Sequence, residues 1–329
     1  MKTLIRIPRD AELPLIGLIQ VGIIDRGTNL LQIRPTSICN LNCIFCSTDA
    51  GAFSKYRVAE YIVDKQYLID WIKETVKFKG EVHAFLDSVG EVLTYPKILD
   101  LISEISQLEG IKNVAIETNG TLLNEEMIEE MKELKLARIN LSLHALDDEL
   151  NKKLVGLEEY NTKKIVELIK YITRSGIDLI LTPVWIPGLN DQEIPKIIEF
   201  AKKEIKNKKF PILGIQKYEA HKFGRKPKGV KPISWFNFYK KIEKWEEEFN
   251  VKLKLLPSDF GIKKTNPLPI PFKVGEKVLA EIMAIGWMPN EMIAVARQRS
   301  ITVVNCRESL NKLIRIKILR NFDNIYIAR

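Results

Sequence analysis

The sequence predicts an α/β protein built on a mostly parallel sheet and followed by a small β-rich domain. Three observations predict it. Strand-like and helix-like runs alternate over most of the chain, the pattern of successive βαβ units. The stretch 257–272 carries Pro257, Pro267, Pro269 and Pro271 and reads as a linker. Beyond it, five short strand-like runs crowd into residues 273–329, the density of a small closed barrel.

Taken in order, residues 15–34 read as strand, turn and strand with Gly27 in the turn, so that 1–29 form a hairpin extension. Strand-like runs lie near 30–35, 81–87, 111–117, 138–144, 178–185 and 210–217. Helix-like runs lie near 61–79, 96–108, 123–135, 161–175, 190–206 and 235–249. Ile165, Leu168, Ile169 and Ile172 show the helical period at i, i+3, i+4 and i+7. In the helix at 235–249 the stripe Phe238, Ile242, Trp245 and Phe249 reads as core packing. Residues 251–256 alternate as a strand. The C-terminal runs fall at 278–285, 292–296, 301–306, 313–319 and 324–328.

No apolar run reaches membrane-spanning length, and the first residues lack a signal-peptide core, so a cytoplasmic location with reduced thiols is expected. The net charge of +9 is uneven: residues 202–232 hold eleven Lys/Arg against two acids, and 273–329 hold ten against five. Two basic surfaces on a neutral-to-acidic body suggest a polyanionic partner; a solvated lysine-rich face is the plainer alternative for 202–232.

Three of the four cysteines, Cys39, Cys43 and Cys46, fall within eight residues. Their spacing would suit one face of a helix, but Pro35, Asn40 and Asn42 break the segment, which reads as a loop after the first parallel strand. A structural zinc site asks for four N/S ligands, and the fourth cysteine, Cys306, is remote and sits in an apolar run that reads as core. A disulfide framework fits neither the odd local count nor the compartment. Three thiolates can instead hold three corners of a four-iron cluster and leave the fourth iron open.

The CxxxCxxC pattern, with the aromatic Phe45 before its last cysteine, resembles the signature of the radical S-adenosylmethionine (SAM) superfamily. The resemblance implies a partial (βα)6 radical SAM barrel over 30–256, a 4Fe-4S cluster, and SAM chelated at the open iron. It also implies a low-potential electron donor such as ferredoxin or flavodoxin. The chemistry would be reductive cleavage of SAM to a 5′-deoxyadenosyl radical that abstracts a substrate hydrogen, with the protein supplying placement and exclusion of water.

Functional groups of parallel α/β folds gather at the carboxyl ends of strands, and the unusual motifs of this chain fall there. Gly90-Glu91 resembles the family's GGE-type element, with Val89 and Val92 in place of the usual first Gly and following Pro; an ordinary turn with a capping Glu is the alternative. Asn119 lies in a TNG turn, as SAM contact or as turn-former. Ser142 and His144 lie at the fourth strand's end, where the family contacts the ribose and carboxylate of SAM; for His144 a hydrogen-bonded core role is equally open. Val184 begins the fifth-strand ending, which would lie against adenine, while Asn190 or Asp191 caps the next helix. The basic, aromatic loop 216–232 reads as a substrate-facing lid, with Tyr218, Glu219 and His221 the candidate catalytic groups and a plain surface loop the alternative.

The domain 273–329 resembles a TRAM module, an OB-type RNA-binding appendage, with Arg297, Arg299, Arg307, Arg315, Lys317 and Arg320 as phosphate contacts. With Cys306 the remaining cysteine, neither a second cysteine-held cluster nor methylation by a pair of cysteines outside the triad is expected. The leading expectation is therefore a single-cluster enzyme that modifies a tRNA or rRNA nucleotide. The alternatives are radical chemistry on a peptide, protein or small metabolite, and a non-catalytic, metal-stabilised RNA-binding protein.

Overall fold

The computed structural model describes residues 2–329, which fall into two compact units. The first contains residues 2–38, 55–114 and 263–329; the second contains 39–54 and 115–262.

In the first unit, β1 (Thr3–Ile7), β2 (Gly22–Asp25), β3 (Leu30–Arg34) and β4 (Ala59–Val63) precede helix α1 (Lys65–Lys79). Then come β5 (Val82–Leu86), α2 (Ile98–Ser106) and β6 (Ile111–Thr118), whose second half enters the other unit. Strands β2 and β3 form the expected antiparallel hairpin, and β5 joins β3 in parallel, Leu30 facing His83. Strand β1 pairs in parallel with β4, from Thr3 opposite Ala59 to Ile7 opposite Val63. This pairing displaces the expected helical start at 61. Asp64 ends the strand and caps α1, accepting from the N–H groups of Gln66 (2.9 Å) and Tyr67 (3.1 Å).

In the second unit, α3 (Glu125–Glu133), β7 (Arg138–Leu141), α4 (Asp148–Val155), α5 (Thr162–Ser175), β8 (Asp178–Leu181), β9 (Val184–Trp185), α6 (Glu193–Glu204), β10 (Gln216–Lys217) and α7 (Trp235–Phe249) follow. β6, β7 and β8 run parallel, as do β9 and β10. Asn124, Asp147, Asn161 and Ser234 cap α3, α4, α5 and α7 through their side-chain oxygens. Three details differ from the sequence reading. The fourth strand stops at Leu141, so Ser142 and His144 lie beyond it. The sixth strand shrinks to two residues. Residues 251–256 form no strand, because the Glu246 carboxylate binds the N–H groups of Leu253 (2.6 Å) and Lys254 (2.8 Å). As expected, Phe238, Ile242 and Trp245 are buried on α7, whereas Phe249, expected with them, is only half-buried.

The C-terminal domain lies in the first unit and is a closed barrel of β11 (Lys277–Ile285), β12 (Glu291–Ala296), β13 (Arg299–Val304), β14 (Leu313–Arg320) and β15 (Ile327–Ala328), in the order β11-β12-β13-β15-β14. Its β13–β15 pair is parallel and the others antiparallel, a five-stranded OB-like arrangement. Alternation sends Val278, Ala280, Ile282, Ile316 and Ile318 inward to a core with Phe272, Tyr326 and Cys306. Among the described residues no helix is long and apolar enough to cross a membrane.

Candidate active site

The cysteine loop is held by backbone hydrogen bonds from several neighbours. The N–H groups of Asn42 and Ile44 donate to the carbonyls of Val155 (3.0 Å) and Leu154 (2.9 Å), at the end of α4. Cys46 N–H returns to the Cys43 carbonyl (3.1 Å), and Cys46 Sγ accepts from Ala50 N–H (3.2 Å). Asn119 reaches the loop from the TNG turn: its Nδ2 donates to Asn40 Oδ1 (3.0 Å) while its Oδ1 accepts from Thr121 N–H (3.0 Å). Asn40 Nδ2 closes the ring on Thr121 Oγ1 (2.7 Å). Asn119 thus both forms its turn and braces the loop.

The strongest strap comes from the 216–232 loop. Arg225 donates from Nε to Asp49 Oδ1 (2.8 Å), from one guanidinium nitrogen to the Cys43 carbonyl (2.9 Å) and from the other to the Ala50 carbonyl. Its own N–H donates to the Cys46 carbonyl (2.8 Å). Gly224 is needed beside it: a Cβ there would stand 2.8 Å from the Ser47 carbonyl oxygen. Sequence reasoning singled out the loop but not Arg225. The only signal was a lone Arg following a Gly.

Behind the loop, Phe45 packs with Ala145, Leu154, Ile186 and Tyr218, and Val184 lies against this group. His144 meets Phe45 edge to face, with centroids 4.8 Å apart. Its Nδ1 accepts from Val184 N–H (3.1 Å), which places the proton of the neutral ring on Nε2. Burial lowers its pKa to about 4. Tyr218 is fully buried with its hydroxyl unpartnered among the described residues, and burial raises its pKa. The other two candidate catalytic groups do not join it: Glu219 is paired with Lys217 (2.7 Å), and His221 is exposed. Ser142 is half-buried just past β7, its N–H donating to the Thr118 carbonyl (3.0 Å).

Gly90 and Glu91 belong to the first unit. A Cβ on Gly90 would lie 2.2 Å from the carbonyl oxygen of Ile38, the residue before Cys39, so only glycine fits. Glu91 N–H donates to that same carbonyl (2.7 Å), and its carboxylate caps the following turn at Leu93 N–H (3.0 Å). The buried Arg57 was not foreseen. It donates to the carbonyls of Val89 and Ser37 and to Glu60 (3.0 Å), and it stacks on Trp287 of the barrel.

The donor set fits a cluster. The three thiols are half-buried on one short loop. Burial pushes the Cys43 thiol up, the neighbouring Cys39 and Cys46 push it further, and Arg225 opposes them; iron binding would convert it to thiolate. Among the described residues no three His, Cys, Asp or Glu side chains converge on one ion. Three thiols on one loop are the donor set that a four-iron cluster takes, one thiolate at each of three irons.

Comparison with known proteins agrees. The model of the family described as the radical SAM superfamily matches residues 33–201. This chain belongs to the radical SAM superfamily. It is 41% identical to uncharacterized protein MJ0103 of Methanocaldococcus jannaschii over 96% of this chain and 78% of that protein. It is 33% identical to the GTP 3′,8-cyclase of Aquifex aeolicus, and that match spans only about half of either protein, 54% of each. The radical SAM protein SuiB of Streptococcus suis, in a crystal structure bound to S-adenosylmethionine, superposes with a TM-score of 0.51 at 21% identity, over 68% of this chain and 48% of that one. At that identity the likeness shows the fold alone. A radical SAM enzyme uses a 4Fe-4S cluster and SAM.

Proposed function

We propose that this radical SAM enzyme abstracts a hydrogen atom from a nucleotide of tRNA or rRNA. The observation that carries the RNA assignment is the closed OB-like barrel, which resembles a TRAM module and bears ten Lys/Arg against five acids over 273–329. The bound cluster would supply one electron for reductive cleavage of SAM to methionine and the 5′-deoxyadenosyl radical.

The chain's own residues have the following roles in this reading. Cys39, Cys43 and Cys46 ligate three irons. The Gly90-Glu91 turn offers backbone to the amino group of SAM, and the apolar Val184 to Ile186 segment lies against adenine. Ser142 contacts the ribose or carboxylate. Asn119 and His144 act one step removed, holding the cysteine loop and Val184. Tyr218, with its unpartnered buried hydroxyl, is the strongest candidate among the expected catalytic groups for contact with a bound ligand. A low-potential ferredoxin or flavodoxin delivers the electron.

The test is anaerobic. Protein reconstituted with iron and sulfide is reduced, given SAM, and assayed for 5′-deoxyadenosine with and without small RNA. A rise with RNA and a new nucleoside mass support the assignment; SAM cleavage indifferent to RNA removes it. Cys43→Ala is expected to abolish both the visible cluster absorbance and 5′-deoxyadenosine, and normal turnover in that variant would end the radical reading. The GTP 3′,8-cyclase similarity favours one second reading, a free nucleotide as substrate. It predicts that GTP, rather than RNA, stimulates cleavage.

A further inference from the structure

In OB-type barrels the face of strands two and three is the usual site for oligonucleotides. In this chain that face is covered. The outward side chains Ile293 and Ser300 are fully buried, and Thr302 nearly so. Ser300 N–H donates to the Ile16 carbonyl (3.0 Å), and Ser300 Oγ to the Pro14 carbonyl (2.7 Å). Tyr326 N–H donates to the Gly17 carbonyl (2.9 Å). A Cβ on Gly17 would fall 1.8 Å from the Ser300 carbonyl oxygen. The segment 14–17 is therefore seated on β13 and the approach to β15, and at Gly17 no space is left between them.

The open face belongs to β11 and β14. Lys277 lies directly opposite Lys317 in their antiparallel register. Lys317 in turn exchanges both backbone hydrogen bonds with Arg329, N–H to carbonyl at 2.9 Å and 3.1 Å, so Arg329 continues the row. Their inward neighbours Val278, Ile316, Ile318 and Ala328 fill the core, so all three side chains project outward by alternation. Adjacent strands stand about 4.8 Å apart, giving a row of three cations roughly 10 Å long. Arg315 lies two residues along β14, about 7 Å from Lys317, facing Leu279, which is 61% exposed.

Like charges directly opposite on a sheet repel. The acidic side chains of the neighbouring segments are committed elsewhere: Glu276 to Arg297 (2.7 Å), Glu308 to Lys312 and Asp323 to Arg26. Glu281 shares the face but stands four residues from Lys277, roughly 13 Å along the strand. Uncompensated repulsion of this kind is relieved by a ligand that brings several negative charges in a line.

We infer that the row Lys277, Lys317 and Arg329, with Arg315 beside it, is the phosphate-contacting face of the barrel, and that its ligand is the sugar–phosphate backbone of RNA. The inference rests on the RNA reading above and moves the contact surface from β12–β13 to β11–β14. The row is exposed and linear, which suits a continuous backbone better than a compact mononucleotide that needs a concave site. Exposed Leu279 and Leu313 beside it offer apolar contact to sugars.

The test measures binding of fluorescein-labelled bulk tRNA to the full chain between 50 and 300 mM salt. The variants are Lys277→Gln/Lys317→Gln/Arg329→Gln and a control that removes three exposed cations elsewhere, Lys73→Gln/Lys163→Gln/Lys170→Gln. The row variant is expected to bind about tenfold or more weakly near 100 mM salt, with the slope of log K against log salt shallower by about 2–3. The control should move neither by more than a small amount. Thermal midpoints, unchanged or raised in the row variant, exclude loss of fold. Tight binding by wild type with an unchanged row variant overturns the row while leaving the RNA reading standing. Equal losses in row and control variants overturn it too, as diffuse electrostatics. No binding by wild type at any of these salt concentrations overturns both.

Discussion

The two basic stretches of this chain hold cations that face opposite ways. In the 216–232 loop, Arg225 turns inward and its donors end on Asp49, on the carbonyls of Cys43 and Ala50 and, through its backbone, on Cys46. On the barrel, Lys277, Lys317 and Arg329 turn outward in a row with the nearest acids engaged elsewhere. Both stretches read alike when charges are counted. The structure separates a cation that organises a loop from cations available to a partner, and the separation lies in what each side chain faces.

The comparison breaks most visibly at Arg225. Asp49 is buried, and Arg225→Met would leave its carboxylate without this guanidinium and strip donors from two loop carbonyls. Removing one member of a buried pair costs about 3–5 kcal/mol. The expected result is a lower denaturant midpoint together with less iron bound per chain after reconstitution. Arg225→Lys keeps the charge but not the planar fork, so it should fall between. The barrel-row variant should bind iron like wild type. Wild-type iron content and stability in the Met variant would make the contacts incidental.

Much of this was legible in the sequence because its signals are local. Three cysteines in eight residues, alternating strand and helix patterns, and five short runs at the end each declare themselves within a short window. The misses are long-range. Strand β4 looks like the start of a helix because its apolar run leads into one; its strand character comes from β1, more than fifty residues earlier. Arg57 and Arg225 look like two more surface cations, yet each is bound to carbonyls that only the folded chain brings near. The closed face of the barrel depends on Gly17, whose fit against Ser300 spans nearly the whole sequence. The bond from Val184 N–H to His144 Nδ1 joins residues forty apart, so it too is made only by the folded chain.

His144 sharpens the comparison by acidity. Its folded pKa of about 4 lies below the ordinary value near 6.5, so between those values the unfolded chain binds more protons than the folded one. Stability from this group is complete above about pH 6.5 and is lost as pH falls toward 4, to a total of about 3 kcal/mol. His144→Asn keeps a carbonyl acceptor for Val184 N–H but cannot titrate. The difference in denaturant midpoint between pH 7.5 and 4.5 should therefore be smaller in the variant than in wild type. Hydrogen exchange at pH 5 should show the excess opening in the unit that holds the cysteine loop, with the barrel strands still protected. Equal acid sensitivity in both proteins would remove His144 as the cause.

The smallest effect has the opposite sign. Lys317 has a cation on either side, so Lys317→Gln removes two unfavourable cross-strand pairs, whereas Lys277→Gln removes one. Pairs of this kind are worth about 0.2–1 kcal/mol each. In the absence of RNA, Lys317→Gln should stabilise the protein slightly, and by more than Lys277→Gln. The gain should be largest at low ionic strength and vanish near 1 M salt, where screening acts over about 3 Å. The Arg225→Met loss should persist at that salt, because buried pairs are screened far less. A destabilising Lys317→Gln at low salt would mean that Lys317 is satisfied within the protein, and the division between the inward-facing Arg225 and the outward-facing row would fail at its centre.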